Sequence, residues 1–324
     1  MNPLISICIP TFNRELLLKE GMVRLINQIR EYSIPIYISD NASEDNTEDM
    51  VMKLKKDYEY IYYKRNEINL GLDRNVECVL KMSTTKYSWL LGDDDRIVTE
   101  AIPMVLDTIS ADRYDIVVVN GGSKSSNLGR IRNIASREYF DKSELLSELG
   151  WHMTWLSTLI FDTEQANFMA FSNYYGTYFG HIGAIFSHFA QKDCARVYWL
   201  DECIIYFSEG SSFSWSSTVF EVFGRSWADV IMQLPKNYHE VSKLACIKNH
   251  GVKSGLFTAM GFLSLRSKGI YTLKSYNNHK AYFSLITDVP NWLLLLISII
   301  PVNLLFKISQ PLKFFRNRYL NRFG

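Results

Sequence analysis

Several patterns on which common function classes depend are missing from this 324-residue chain. No G-x-G-x-x-G follows the first apolar segment and no G-x-x-x-x-G-K-[S/T] occurs, which argues against a Rossmann dinucleotide site and against a P-loop. The five cysteines are scattered without a C-x-x-C pair, so we expect neither a zinc site nor a disulfide framework. A net charge of +1 provides no general attraction to nucleic acid, and no nucleic-acid partner is expected.

Signals for secretion and for a membrane span are also weak. The N-terminus has no basic segment and its apolar run is too short for a signal peptide, which predicts a cytoplasmic protein with reduced thiols. The longest apolar segment, residues 292–306, is shorter than the ~20 residues that span a bilayer comfortably. Five basic residues follow it, and no acid occurs after Asp288. Residues 289–324 are therefore predicted to associate with anionic lipid at the inner membrane, the alternative being a buried final helix with a solvated tail.

Short apolar runs and amphipathic segments alternate along the first 120 residues. The pattern predicts strands at residues 4–9, 34–39, 60–63, 87–91 and 114–120, with helices at 15–31, 45–57, 72–82 and around Pro103. This alternation favours an α/β fold with a mostly parallel sheet covered by helices. Ligands of such sheets bind outside the carboxyl ends of the strands.

The rest of the chain has a different pattern. Alternation weakens after Phe140 and aromatic residues concentrate, which favours either an acceptor-binding surface or a large aromatic core. His152, between Trp151 and Trp155, could touch an acceptor or be structural. We predict three regions: a nucleotide-sugar-binding core at 1–120, an acceptor-binding and catalytic half at 121–240, and a helical C-terminal region at 241–324.

Four polar motifs lie at the ends of predicted strands or at the start of the next helix. They are P-T-F-N-R at 10–14, D-N-A-S-E-D-N-T at 40–47, N-L-G-L-D-R-N at 69–75 and G-D-D-D at 92–95. In a parallel sheet all four would meet at one rim. Adjacent carboxylates repel each other unless a cation neutralises them, and hard oxygen ligands suit Mg2+ or Mn2+ together with substrate phosphates. A solvated acidic turn is the alternative for the last motif.

In order and spacing, these motifs resemble those of family 2 glycosyltransferases. With His181 in place of the usual carboxylate, the chain also resembles the abequosyltransferase-like enzymes of O-antigen and surface polysaccharide synthesis. The resemblance implies a GT-A fold, a nucleotide-sugar donor, and Mn2+ or Mg2+ held on the donor diphosphate. It implies that Asp94 is the most direct metal ligand, with Asp93 and Asp95 beside it. The nucleotide-sugar site that it implies consists of Pro10, Thr11, Asn13, Arg14, Asp40, Asn41, Asn69, Gly71, Asn75 and Asp93.

Two of these residues have a chemical rationale of their own. Asp40 could accept a charge-assisted hydrogen bond from a nucleobase edge, or could simply form an Asx turn with Asn41. Arg14 lies at a predicted helix start, where a cation is slightly unfavourable, so a phosphate or carboxylate partner is expected.

The catalytic base is less well defined by the sequence. Family members usually carry an Asp or Glu well after the acidic motif, but here T-Y-F-G-H-I-G at 177–183 has no carboxylate and His181 takes its place. Histidine can accept a proton near neutral pH, or can be packed structurally. Asp201 and Glu202 are the alternative bases. The polar loop at 209–216 could be a lid over the donor or an ordinary connection.

These observations predict a metal-dependent, inverting hexosyl- or deoxyhexosyltransferase. By the same resemblance, its acceptor would be a lipid-linked glycan, on a polyprenyl diphosphate, at the cytoplasmic face of the inner membrane. One alternative is a catalytically inactive GT-A protein that binds nucleotide and serves assembly, because residues 177–183 lack the carboxylate that family members usually carry. A processive membrane synthase is disfavoured, because it would need several long spans and a Q-x-x-R-W motif.

Overall fold

The computed structural model describes residues 3–123, 128–207 and 216–303. Within these ranges the strands are β1 Ile5–Thr11, β2 Ile36–Asp40, β3 Ile61–Arg65, β4 Tyr87–Leu90, β5 Asp95–Ile97, β6 Ile116–Ser123, β7 Leu128–Gly129, β8 Arg137–Tyr139, β9 Leu159–Asp162 and β10 Val197–Phe207. The α-helices are α1 Glu15–Ile29, α2 Thr47–Asp57, α3 Leu72–Met82, α4 Ala101–Ala111, α5 Lys142–Leu149, α6 Thr163–Asn167, α7 Gly180–Ala190, α8 Trp227–Gln233, α9 Glu240–Lys253, α10 Ala259–Ser267, α11 Leu273–Ile286 and α12 Asn291–Ile299.

The strands join in one sheet, whose first half is parallel as the sequence predicts. Its order is β3-β2-β1-β4-β9-β6-β10-β5, and β1 pairs in parallel with both β2 and β4. Every residue of β1 and β2 is buried, which fits strands covered on both faces. Their carboxyl ends therefore reach the same rim.

The second half of the sheet is mixed, whereas a mostly parallel sheet was predicted. Strand β9 is antiparallel to both β4 and β6, and β10 is parallel to β6 but antiparallel to β5 and β8. Hydrophobic periodicity reports which face of a strand is buried and carries no information on strand direction, so the sequence pattern could not reveal these reversals.

Most predicted elements agree with the structure to within a few residues. Helix α3 begins and ends where predicted, whereas α1 ends at Ile29 and continues as a 3-10 turn over Arg30–Tyr32. Isoleucine, valine and leucine from the strands pack with the apolar faces of α1, α2 and α4 in a single core. This core holds the strand ends in place.

The chain forms two compact units. Among the described residues, one unit contains 3–123, 128–207 and 230–246, and the other contains 216–229 and 247–303. The predicted functional division at residues 120 and 240 stays a prediction. In the second unit, Phe220 stacks on Phe257 and Phe262 with ring centroids 5.6 and 6.0 Å apart, and Phe283 is buried beside them. An aromatic core thus stabilises the helices of this unit.

Helix α12 contains most of the apolar segment for which membrane association was predicted. Leu294, Ile297 and Ser298 are buried. No helix in the described ranges is both long and apolar enough to cross a bilayer. Residues 304–306 of the apolar segment and the basic tail lie outside the described residues.

Candidate active site

Asparagine side chains tie the ends of β1 and β2 to the start of α3. Asn41 donates to Oδ1 of Asn69 at 2.8 Å and accepts from the backbone N–H of Leu70 at 2.8 Å. Asn75 donates to the carbonyl of Ser39 at 3.0 Å and accepts from its hydroxyl at 2.7 Å. These bonds satisfy buried polar groups and bring the second and third motifs together, as the parallel arrangement predicted.

Hydrogen bonds hold the first motif against the second. The backbone N–H of Asn13 donates to Oγ of Ser43 at 2.8 Å, and its side chain accepts from the N–H of Glu44 at 2.7 Å. Asn13 has φ +52°, a left-handed conformation that asparagine tolerates better than most residues. Gly71 has φ +80° at the start of α3, and Pro10 lies within buried β1. The rim thus has a defined backbone before any ligand arrives.

Two carboxylates of the acidic motif converge on one cation. Arg14 Nη1 donates to Oδ1 of Asp93 and to Oδ2 of Asp94, at 2.9 Å each. The Thr11 hydroxyl donates to the other oxygen of Asp93 at 2.8 Å. Burial raises the pKa of Asp93 to about 6, although the Arg14 charge opposes this shift. The first and fourth motifs therefore meet at a single negatively charged point.

The third carboxylate is directed away from that point. Asp95 Oδ2 accepts from the Trp155 indole N–H at 2.6 Å and from the Ser157 hydroxyl. Burial, with the Asp94 charge adding to it, raises the pKa of Asp95 to about 7. A Cβ at Gly92 would lie 2.7 Å from this same Asp95 oxygen, so there is no room for a side chain at position 92. Sterics thus favour glycine at position 92.

The chemistry of this cluster fits a divalent metal. Asp93 and Asp94 present hard oxygens to one position, and the Arg14 guanidinium already serves there as a positive group. In the described residues no group of three or more His, Cys, Asp or Glu side chains is arranged to hold a metal. Two carboxylates and substrate phosphate oxygens form a common Mg2+ arrangement, so the donor itself would have to supply the missing ligands.

Asp40, the predicted base-contacting residue, is fully buried. Its Oδ1 accepts from the Ser43 N–H at 2.8 Å and its Oδ2 accepts from the Tyr63 hydroxyl at 2.6 Å. The first of these bonds is a local turn bond of the kind that the sequence left open. Because Asp40 is fully buried, a nucleobase would have to displace the groups that cover it, and the role of Asp40 in binding the base stays a prediction.

His181 lies in the first turn of α7 and is only 2% exposed. Burial lowers the pKa of His181 to about 4, and hydrogen bonding to the backbone of Met153 and Thr154 opposes this only partly. Its Nε2 has no hydrogen-bond partner among the described residues. Met153 and Thr154 directly precede Trp155, whose indole donates to Asp95. One short stretch of chain therefore connects the His181 imidazole to the acidic motif.

The other two candidate bases lie on β10. Asp201 accepts a hydrogen bond from the Ser136 hydroxyl, and Glu202 is exposed. In the pairing of β10 with β5, Phe207 lies opposite Asp95. The structure therefore does not place Asp201 or Glu202 directly against the acidic motif as it places Thr11 and Arg14.

Asp73 is a buried acid at the rim that the sequence analysis did not select. Its Oδ1 accepts from the Gly180 N–H at 2.8 Å, and its Oδ2 accepts from the N–H groups of Thr177 and Tyr178 at 3.0 and 3.1 Å. Burial raises the pKa of Asp73 more than these bonds lower it. Asp73 therefore caps the N-terminus of α7, the helix that carries His181. The available signal was an acid two residues after Gly71, within the third motif and in the first turn of a predicted helix.

Sequence comparisons match the chain to one protein family. A family model described as glycosyl transferase family 2 matches residues 6–169, slightly more than half of the chain. The abequosyltransferase RfbV of Salmonella typhimurium is 31% identical over 228 residues, covering 65% of this chain and 68% of that protein. A GalNAc(5)-diNAcBac-PP-undecaprenol beta-1,3-glucosyltransferase of Campylobacter jejuni is 20% identical over 317 residues, covering 95% and 97%.

Solved structures share the fold. TarS of S. aureus in complex with UDP-GlcNAc has a TM-score of 0.56 at 15% identity, covering 87% of this chain and 83% of that one. The mannosyltransferase PcManGT of Pyrobaculum calidifontis, in complex with GDP-Man and Mn2+, has a TM-score of 0.50 at 10% identity, covering 92% and 87%. At these identities the likeness concerns the fold, and it confirms the predicted GT-A architecture.

Proposed function

Because this chain belongs to glycosyl transferase family 2 and is a glycosyltransferase, we propose that it moves a hexosyl or deoxyhexosyl group from a nucleotide sugar to a lipid-linked glycan. The observation that carries the proposal is the convergence of the Asp93 and Asp94 carboxylates on the Arg14 guanidinium at the strand-end rim. The TarS and PcManGT structures contain a nucleotide sugar on the same fold, which supports a nucleotide-sugar donor. We further propose that the reaction depends on Mn2+ or Mg2+ and inverts the anomeric centre.

The chain's own residues would prepare the donor site. Asp93 and Asp94 would hold the ion, which when bound neutralises charge on the departing nucleoside diphosphate. The Thr11 hydroxyl orients Asp93. Arg14 shares the same carboxylates, and its guanidinium fork is suited to a phosphate. Asn13, Asn41, Asn69, Gly71 and Asn75 would shape the nucleotide pocket through the hydrogen bonds that join their loops.

His181 is the proposed base for the acceptor hydroxyl. Its imidazole is unprotonated at neutral pH because burial lowers its pKa to about 4, and its Nε2 has no partner among the described residues. The same burial weakens it as a base, so contact with the acceptor would have to raise this pKa during the reaction. Access to this atom requires the acceptor to displace the side chains that cover it. Asp201 and Glu202 remain the alternative bases.

The proposed acceptor is a glycan on polyprenyl diphosphate at the cytoplasmic face of the inner membrane, in bacterial surface polysaccharide or O-antigen synthesis. The Campylobacter relative is named for an undecaprenol-linked acceptor, which supports a lipid-linked substrate. Helix α12 supports a peripheral membrane contact, because Trp292, Leu295, Leu296 and Ile299 are exposed at the spacing of one helical face. Basic residues beyond position 303 would add attraction to anionic headgroups.

A donor screen tests the metal-dependent function. UDP-, GDP-, CDP- and dTDP-sugars would be incubated with the protein and Mn2+, and release of nucleoside diphosphate would be measured. Asp94→Asn should reduce turnover of the accepted donor at least a hundredfold, whereas Asp49→Asn, an exposed acid on α2, should not change it. Undiminished turnover in EDTA would contradict the metal assignment.

A second measurement tests the base. His181→Asn should lower kcat strongly while donor affinity stays nearly constant, because the imidazole would act only in the chemical step. A normal kcat would transfer the role to Asp201 or Glu202, whose alanine variants would then be measured under the same conditions.

A further inference from the structure

One arginine lies over tryptophan rings close to the acidic motif. Arg130 Cζ is 5.1 Å from the ring centroid of Trp151 and 5.9 Å from that of Trp155, within the range of cation–π attraction. The backbone N–H of Arg130 donates to the carbonyl of Gly121 at 2.8 Å, which holds the residue against the end of β6. Its guanidinium thus contacts the ring systems of two tryptophans.

The position of Trp155 is fixed from several directions. Its indole N–H donates to Asp95 at 2.6 Å, and its ring centroid lies 6.1 Å from that of Phe207. A Cβ at Gly121 would lie 2.5 Å from the Trp155 ring, so the indole rests directly on the backbone of β6. A single rigid side chain therefore contacts both Arg130 and the acidic motif.

The charge of Arg130 is not balanced inside the protein. No carboxylate in the described ranges forms an ion pair or a side-chain hydrogen bond with it, whereas Arg14 pairs with Asp93 and Asp94. Desolvation alone lowers the pKa of Arg130 to about 10. A partly desolvated guanidinium without an anion is costly, and its N–H groups can each donate to an oxygen.

We propose that Arg130 binds a phosphate group of a diphosphate substrate. The guanidinium fork matches two oxygens of a phosphate, and contact with two indoles restricts its movement in advance. The diphosphate could belong to the nucleotide donor or to the lipid carrier of the acceptor. That the ligand is a substrate diphosphate rests on the proposed function, whereas anion binding by Arg130 is inferred from its contacts with the two indoles and from its lack of a carboxylate partner in the described ranges.

Isothermal calorimetry with inorganic pyrophosphate in EDTA tests the anion site without a metal. Arg130→Gln should weaken binding about tenfold or more, since a charge-assisted bond is lost, and Arg130→Lys should bind with intermediate affinity. Arg132→Gln, which removes an exposed cation two residues away, is the matched control and should bind like the parent protein. Melting temperatures of all variants would show that each is folded.

Two further titrations identify the source of the phosphate. One uses the nucleoside diphosphate accepted in the donor screen, with Mn2+, and the other uses farnesyl diphosphate. A tenfold loss in Arg130→Gln for only one of these ligands assigns the site to donor or to acceptor. Failure of the parent protein to bind pyrophosphate, or equal affinity in Arg130→Gln and the parent protein for all three ligands, overturns the proposal. Because the pyrophosphate titration is carried out in EDTA, its outcome does not depend on a bound metal, so failure of the metal proposal can be distinguished from failure of this one.

Discussion

At the scale of single residues, two buried histidines link stability to pH. Desolvation lowers the pKa of His152 to about 3, with the Arg130 charge adding to the effect, and lowers that of His181 to about 4. The unfolded chain binds protons at these residues near pH 6.5, whereas the folded chain does not. Their contribution to stability is therefore present above pH 6.5 and is lost as the pH falls toward the folded-state values.

Urea unfolding at pH 7 and pH 5 measures this linkage. Each histidine should lower the free energy of unfolding by about 2 kcal/mol at pH 5 relative to pH 7, because the unfolded state gains a proton that the folded state does not. His152→Gln removes one titrating group and should reduce the difference between the two pH values by about that amount. An unchanged pH difference in this variant would show that His152 is not neutral in the folded protein.

The buried Asp40 allows a second test at the residue scale. If Asp40 binds the nucleobase, Asp40→Asn should weaken binding of the accepted nucleotide about tenfold, as expected for one charge-assisted bond. Tyr63→Phe removes only the hydroxyl that Asp40 accepts from and should bind nucleotide at least as well as the parent protein. Equal losses of nucleotide affinity in both variants would instead assign Asp40 a structural role at the rim.

At the scale of elements, α3 and α7 are joined by one side chain. Asp73 accepts three backbone N–H groups at the start of α7, and Tyr178 in the same turn has φ +68°. A Cβ at Gly180 would lie 2.8 Å from the Asp73 side chain, so the two elements meet without spare room. Because α3 begins within the third motif and α7 carries His181, this cap connects the proposed donor pocket to the proposed base.

Loss of the cap should be measurable in chemical denaturation. Asp73→Ala leaves buried N–H groups without an acceptor and should lower the unfolding free energy by about 1–3 kcal/mol. Asp49→Ala replaces an exposed acid in the first turn of α2 and should change it by no more than ~0.5 kcal/mol. Similar effects of the two substitutions would mean that Asp73 does not hold the turn before α7.

At the scale of the whole molecule, the exposed face of α12 predicts membrane binding. Trp292 is 67% exposed and Leu296 is 47% exposed, although both are large and apolar. The double change Trp292→Ser and Leu296→Ser should reduce cosedimentation of the full chain with phosphatidylglycerol vesicles several-fold, because apolar area at the acyl boundary is lost. Val241→Ser alters an equally exposed apolar residue on α9 and should have no effect. Equal sedimentation of all three proteins would contradict the membrane proposal.

The sequence by itself determined the family, the order of the first strands and helices, and the residues that meet at the rim. It did so because local periodicity marks buried strands, and the carboxyl ends of parallel strands share one edge. Asp93, Thr11 and Arg14 were all selected from strand-end motifs, and the structure brings them within hydrogen-bond distance.

Only the tertiary structure decided the direction of β9, the diversion of Asp95 to Ser157 and Trp155, and the isolation of Arg130 from any described carboxylate. Such features depend on partners that are distant in sequence: Trp155 is 60 positions from Asp95. The same holds for the cap on α7, where Gly180 is 107 positions from Asp73. No local pattern encodes such pairs, because burial and hydrogen bonding between remote segments arise only when the chain has packed.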